Sequence, residues 1–145
     1  WSMNESIVAG LNGAMQALIF ALVVRALGGR YRIWLHAGML LVAAVLYVVF
    51  AAHGGSQIGV AVELLGVGAF GALAVLGALR RAPGWIALGW ALHPVWDVAL
   101  HSAGLLEAYT PHGWVAACFG FDLVLAALIA RGWAGAPGRL RPATA

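Results

Sequence analysis

The sequence predicts an all-α polytopic membrane protein, a bundle of five transmembrane helices with the N-terminus outside and the C-terminus cytoplasmic. Three observations predict it. Of 145 residues, 63% are hydrophobic and only 9% are charged, against roughly 25% charged in an ordinary soluble domain. Five apolar stretches are long enough to cross a bilayer, which takes roughly 20 residues of helix. The eight basic residues, all arginine, fall where a five-helix chain has one common side.

The stretches are Ile7–Ala26, Ile33–Ala52, Ile58–Leu79, Gly84–Leu106 and Gly113–Ala130. Leu, Ala, Val and Gly dominate each of them, which favours helices over the alternating pattern of a barrel strand. Gly28-Gly29-Arg30, His53-Gly54-Gly55-Ser56, Arg80-Arg81-Ala82-Pro83 and Tyr109-Thr110-Pro111 separate them. Residues 1–131 read as a single transmembrane domain, and 132–145 as a cytoplasmic tail rich in Gly, Pro and Arg. Met3 reads as the natural start, with Trp1 and Ser2 added ahead of it. The first helix has no basic leader or small-residue cleavage site, so it reads as a retained span.

Orientation follows from Arg25, Arg30, Arg32, Arg80, Arg81, Arg131, Arg139 and Arg141, which sit in the first loop, the third loop and the tail. The positive-inside rule makes that side cytoplasmic, and a bacterial inner membrane is the expected location. Glu5, Glu107, His53 and His112 then face outward. Trp34, Trp85, Trp114 and Trp133 lie near span ends, as interfacial tryptophans do.

The same composition excludes other classes. Eight basic and five acidic residues cannot clothe a soluble globule of this size. A net charge of +3 is too small for a nucleic-acid surface. One cysteine excludes an internal disulfide and a multi-cysteine zinc site. Gly66-Val67-Gly68-Ala69-Phe70-Gly71 has dinucleotide-fingerprint spacing, but it lies inside an apolar helix with no preceding strand. Close helix packing is its expected role.

Glu63, Asp97 and Asp122 lie within spans, where a charge costs at least about 2.5 kcal/mol and marks a functional candidate. His93, Asp97 and His101 follow one another at i, i+4 and i+8, within one helical stripe that drifts about 40° per step. Two imidazoles and a carboxylate suit a borderline divalent metal, zinc or iron. The stripe spans about 12 Å, so one ion takes an adjacent pair and completes its shell from other helices, or two ions share it. Counted inward at 1.5 Å per residue, Glu63, His101, Cys118 and Asn12 fall at about 7–9 Å. Asp97, Asp122 and Gln16 fall at about 13–15 Å, and His93 at about 20 Å. Matched levels on four helices point to one polar cavity in the outer half of the bilayer. With no Lys or Arg at that depth, the three carboxylates must bind protons, histidinium or a metal ion. Pro94 removes a backbone hydrogen bond and is expected to kink the fourth helix.

Leu88-Gly89-Trp90-Ala91-Leu92-His93, Trp96-Asp97 and His101, with Cys118 and Asp122 following, resemble a family of small bacterial integral-membrane proteins classed as a domain of unknown function. Its members carry a similar G-W-x-x-H-x-x-W-D-x-x-x-H helix and a later C-x-x-x-D. The resemblance covers mainly Leu88–Asp122. It implies a multi-helix membrane architecture and directs attention to His93, Asp97, His101, Cys118 and Asp122, without an activity.

The expected function is an intramembrane enzyme. Its metal ligands are His93, Asp97, His101, Glu63 and Asp122; Glu63, Asp97 and Asp122 are its candidate catalytic groups, and a lipid or isoprenoid-like molecule is its substrate. A metal-free isomerase or cyclase would use the same acids and bases. A cation- or proton-coupled transporter subunit is the main alternative, with a haem-binding bundle and an accessory subunit behind it. A plain interhelical hydrogen-bond network is the bland reading of the same stripe. Cys118, Asn12, Gln16 and His36 read as packing residues, and so do Trp90 and Trp96. The lipid bilayer is the one certain partner, nucleic acid is excluded, and self-association is compatible with so short a chain.

Overall fold

The computed structural model describes residues 2–102 and 109–134. Among them there are five α-helices and no strand. The helices are α1 (Met3–Leu27), α2 (Arg32–His53), α3 (Gln57–Leu79), α4 (Pro83–Asp97) and α5 (Trp114–Ala130). A 3-10 turn, Gly29–Tyr31, leads into α2, and a π-helical turn, Val98–Ser102, extends α4. The end of the fourth stretch at Leu106, Glu107, Trp1, Arg139 and Arg141 lie outside the described residues, as does most of the expected tail.

Four of the five helices start where the sequence provides a start signal, and α2 follows directly from the 3-10 turn. Ser2, placed ahead of the expected start, is the N-cap of α1. Glu5 N–H donates to Ser2 Oγ at 3.3 Å while Ser2 N–H donates to Glu5 Oε2 at 3.0 Å, a reciprocal capping box. Ser56 caps α3 through Gly59 N–H at 3.0 Å. Pro83 occupies the first turn of α4, where its missing N–H costs nothing. Gly113 precedes α5 in a left-handed conformation, φ 77°, that a side chain would strain.

Three helical segments, Met3–Leu27, Gly29–His53 and Gln57–Leu79, are long and apolar enough to cross a membrane, and Trp114–Ala130 is a shorter apolar helix. Their outward faces carry large apolar side chains, among them Leu11, Leu22, Val45, Leu65 and Leu123. α4 is central and packs on α2, α3 and α5; α1 lies along α5 and meets α2 only slightly. α1 and α5 touch backbone to backbone. A methyl at Gly13 would collide with the Ala117 carbonyl, and one at Gly120 with the Gly10 carbonyl. Glycine pairs of this kind let helices approach closely where no hydrophobic effect drives them together.

The ends of the bundle differ. Arg25, at the end of α1, stacks over the Trp133 ring beyond α5 at 4.8 Å. The Arg32 guanidinium donates to the Arg25 carbonyl. The dry core fills this half: Ala17, Ala21, Leu40, Ala74, Ile86, Trp90 and Leu125 are all buried. The opposite half holds buried polar residues instead. The glycine motif of α3 has a narrower role than expected. Gly66 makes room for the Trp96 indole, whereas Gly68 faces open space and Gly71 makes only an ordinary contact with Leu41.

The helix runs on through Pro94, and the irregularity comes later. Val98 N–H still bonds to the Pro94 and Val95 carbonyls, and the next turn opens into π geometry. A turn closed i to i+5 rotates less per residue than an α turn. His101 therefore does not continue the drift of the stripe, and it meets α3.

Candidate metal centre and its surroundings

The polar residues form two groups, joined by a tyrosine. The inner group is His93, Asp97 and Asp122, from α4 and α5, each at most 1% exposed. His93 Nδ1 lies 2.9 Å from Asp122 Oδ2 and 3.5 Å from Asp97 Oδ2. One ligand atom from each residue falls within 4.8 Å of the others, so the three can hold a metal ion. Zinc bonds of roughly 2.0–2.1 Å place tetrahedral ligands about 3.3 Å apart. The two distances to His93 Nδ1 straddle that separation. Among the described residues, Asp97 Oδ1 is buried without a hydrogen-bond partner, a state that costs about 1–3 kcal/mol when nothing compensates it. An orphaned carboxylate oxygen in such a group fits a metal ligand.

The outer group is Glu63 and His101. His101 Nε2 approaches Glu63 Oε1 to 3.0 Å. The contact is close but not aligned as a hydrogen bond, and both ring nitrogens of this buried imidazole lack a hydrogen-bond partner among the described residues. Glu63 accepts from Trp96 Nε1 at 3.1 Å and from the Tyr109 hydroxyl at 2.7 Å. Tyr109 reaches it by passing Gly54, where a side chain would strike its Cβ, and Gly59, where one would strike its ring. On its far side an open pocket of about 480 Å³ is lined by His53, Gly54, Tyr109 and Pro111. Burial, and then the Glu63 carboxylate it bonds, hold the Tyr109 phenol above its ordinary range.

Tyr47 joins the groups. Its hydroxyl donates to Asp97 Oδ2 at 2.6 Å. Its ring stacks on His101, centroids 4.9 Å apart and 17° from parallel. Among the described residues, the buried acids have His93 and His101 as their only ionic partners.

A third element is apolar. A cavity of about 160 Å³ between α1, α2 and α5 ends on Asp122 and Cys118, with Met39 and Leu46 among its walls and Gln16 at its rim.

The five proposed ligands thus divide: His93, Asp97 and Asp122 converge, and Glu63 pairs with His101 one turn further along. Gln16 and Cys118, taken as packing residues, line the cavity, whereas Asn12 is exposed and stands apart from both groups. His36 is buried against Phe20, ring centroids 5.5 Å apart, away from the site as expected. Trp96, taken as packing, is a hydrogen-bond donor to Glu63. Tyr47 and Tyr109 escaped the sequence reading. Depth counting signals Tyr47, which lies six residues from the end of α2, level with Glu63. Nothing in the sequence signals the reach of Tyr109, since a loop residue has no helical register.

The sequence model of one family, described as "Family of unknown function (DUF6010)", matches residues 8–137. No curated protein and no solved structure matches the chain.

Proposed function

The chain belongs to this family of unknown function, and from the site itself we propose that it is an intramembrane enzyme built around a divalent metal, zinc or iron, held by His93, Asp97 and Asp122. The observation that carries the reading is the convergence of three buried ligand atoms from two helices with no Lys or Arg beside them. Two carboxylates and one imidazole would leave coordination positions open, as catalytic sites require. A metal there would supply Lewis-acid activation of water, oxygen or a substrate carbonyl. Tyr47 fixes Asp97 by its short hydrogen bond. Glu63 and His101, in stacking reach through Tyr47, are the acid–base pair nearest the centre. The apolar cavity ending on Asp122 supports a lipid or isoprenoid-like substrate.

The setting we infer is five membrane crossings in a bacterial inner membrane. Pro83–Ser102 runs about 30 Å at 1.5 Å per residue, enough for a fourth span, and α5 makes a shorter fifth. Arginines gathered at one end of the bundle support an outward N-terminus. The site then lies in the outer half of the bilayer.

Metal analysis of the protein purified in detergent tests the centre. Wild type is expected to hold one ion per chain, and Asp97→Asn and Asp122→Asn to lose it. Stoichiometric metal in both variants would overturn the ligand set. A folded wild type that takes up neither zinc nor iron would overturn the metal itself. That second outcome favours metal-free acid–base catalysis, for which the 2.9 Å His93–Asp122 contact is already suited. A transporter subunit draws support from the pocket outside Tyr109, and proton or cation flux into proteoliposomes that Glu63→Gln abolishes would favour it.

A further inference from the structure

Three of the helices end in the same turn. After α2, Gly55 N–H bonds to the Ala52 carbonyl and Ser56 N–H to Ala51. After α3, Arg81 N–H bonds to Ala78 and Ala82 N–H to Gly77. After α5, Gly132 N–H bonds to Ile129 and Trp133 N–H to Leu128. The turn needs one left-handed residue, for which glycine is usual. Gly55 and Gly132 supply it at φ 72° and 89°, but α3 uses Arg81, at φ 51°. Arg81 is the one non-glycine residue with positive φ among the described residues, and its Cβ crowds the carbonyl that follows. Its side chain makes no contact inside the protein that offsets this. Arg80 and Arg81 are exposed and have no side-chain partner among the described residues. By contrast, Arg25 lies on Trp133, Arg30 donates to Tyr31 and Arg32 donates to the Arg25 carbonyl. Strain kept without an internal contact points to a partner outside the chain.

Charge and depth identify the partner. Arg25, Arg30, Arg32, Arg80, Arg81 and Arg131 share this end of the bundle, and no described acid stands within two turns of it. The partner is therefore an anion. Trp85, the third residue of α4, is exposed just after the turn, where tryptophan commonly meets lipid head groups. Further along the two helices, Leu79, Val75 and Leu88 are exposed as well. A soluble anion would use the arginines and leave this apolar surface uncovered. An anionic phospholipid covers both, its phosphate on the guanidiniums and its acyl chains on the apolar side chains. Guanidinium and phosphate match in paired hydrogen bonds. A zwitterionic lipid carries the same phosphate beside a compensating ammonium, so it gains less from an arginine pair.

We propose that the turn between α3 and α4 is a binding site for an anionic phospholipid, its phosphate held by Arg80 and Arg81. The inference rests on the membrane setting and not on the metal, so failure of the metal centre leaves it standing. The experiment follows thermal unfolding of the full chain in dodecyl maltoside. Dioleoylphosphatidylglycerol, dioleoylphosphatidylcholine and sodium phosphate are titrated in separately. Phosphatidylglycerol is expected to raise the unfolding midpoint, with half-saturation at a concentration at least about tenfold below that of phosphatidylcholine. Arg81→Gly distinguishes a lipid site from a structural turn, because its two effects have opposite signs. It relieves the backbone, so the midpoint without lipid is expected to rise. It also removes one guanidinium, so phosphatidylglycerol is expected to bind roughly fivefold more weakly. Arg80→Gln leaves the left-handed residue in place and is expected to weaken the lipid by a similar factor without raising the midpoint. Equal half-saturation by the two lipids, or a phosphatidylglycerol response unchanged in both variants, overturns the site. A midpoint raised as far by sodium phosphate at equal phosphate concentration overturns the lipid as its ligand. A lower lipid-free midpoint in Arg81→Gly would assign Arg81 to a contact within the fold and overturn the proposal.

Discussion

Replacing Tyr47 with phenylalanine deletes one oxygen atom and little else, and its cost separates a structural network from a metal centre. The lost bond is short, 2.6 Å, and wholly buried. Without it, Asp97 keeps, among the described residues, the 3.5 Å approach of His93, and its Oδ1 has no hydrogen-bond partner there. If the cluster is interhelical glue, the cost is that of one hydrogen bond inside a membrane protein, about 0.6 kcal/mol and at most about 1.7. If Asp97 is a metal ligand oriented by Tyr47, metal affinity falls about 10- to 100-fold, or about 1.4–2.7 kcal/mol. Competition of a fluorescent zinc chelator against purified wild type and Tyr47→Phe reads the affinity, and unfolding in mixed micelles reads the stability. The expected result is a loss of affinity of at least tenfold with a stability change below about 2 kcal/mol. Affinity within twofold of wild type would refute the positioning role. A double-mutant cycle with Asp97→Asn adds a control, because a real coupling makes the two losses non-additive.

Gly13→Ala drives a methyl into the Ala117 carbonyl and is expected to cost about 1–3 kcal/mol. Gly68→Ala, which meets open space, serves as the control, and equal unfolding midpoints in detergent would count against the α1–α5 backbone contact. Tyr109, whose phenol is raised in the folded state, contributes stability that is complete below its unfolded pKa of about 10 and is lost as pH rises beyond it. Wild type should therefore lose stability above about pH 10 more steeply than Tyr109→Phe, and parallel curves would show that the contact with Glu63 is not maintained. Trp96→Phe removes a donor to Glu63 and is expected to free the Tyr109 segment, read as faster hydrogen exchange at residues 109–112. A fluorescent protein fused after Arg131 should fluoresce in bacterial cells, and alkaline phosphatase activity at the same fusion point would reverse the inferred orientation.

The five helices were legible because long runs of Leu, Ala, Val and Gly are broken by Gly-, Pro- and Arg-bearing segments, and three of the helical segments are long and apolar enough to cross a membrane. Depth counting also placed Glu63 with His101 and Asp97 with Asp122, since a helix converts residue number into height. It could not give rotation. Asn12 sits at the level of Glu63 on the exposed side of α1, and no count separates those cases. The hydrogen-bonding aromatics were hidden for a chemical reason. Tyr47 and Trp96 bury large apolar rings, so among Leu and Val they read as packing, and their single polar atom shows only once its partner is placed. The turn of His101 towards α3 was hidden by the π geometry, because i, i+4, i+8 arithmetic assumes one rotation per residue throughout.

That turn makes α4 an object with two phases. Ahead of it, His93 and Asp97 meet Asp122 of α5. Within it, the His101 side chain reaches Glu63 of α3. A shortening by one residue within Val98–Ser102 would restore a uniform α-helix and put His101 out of step with Glu63, with every ligand of the inner group untouched. The spacing between the two polar groups is therefore held by a single surplus residue of backbone, and its side chain need not matter.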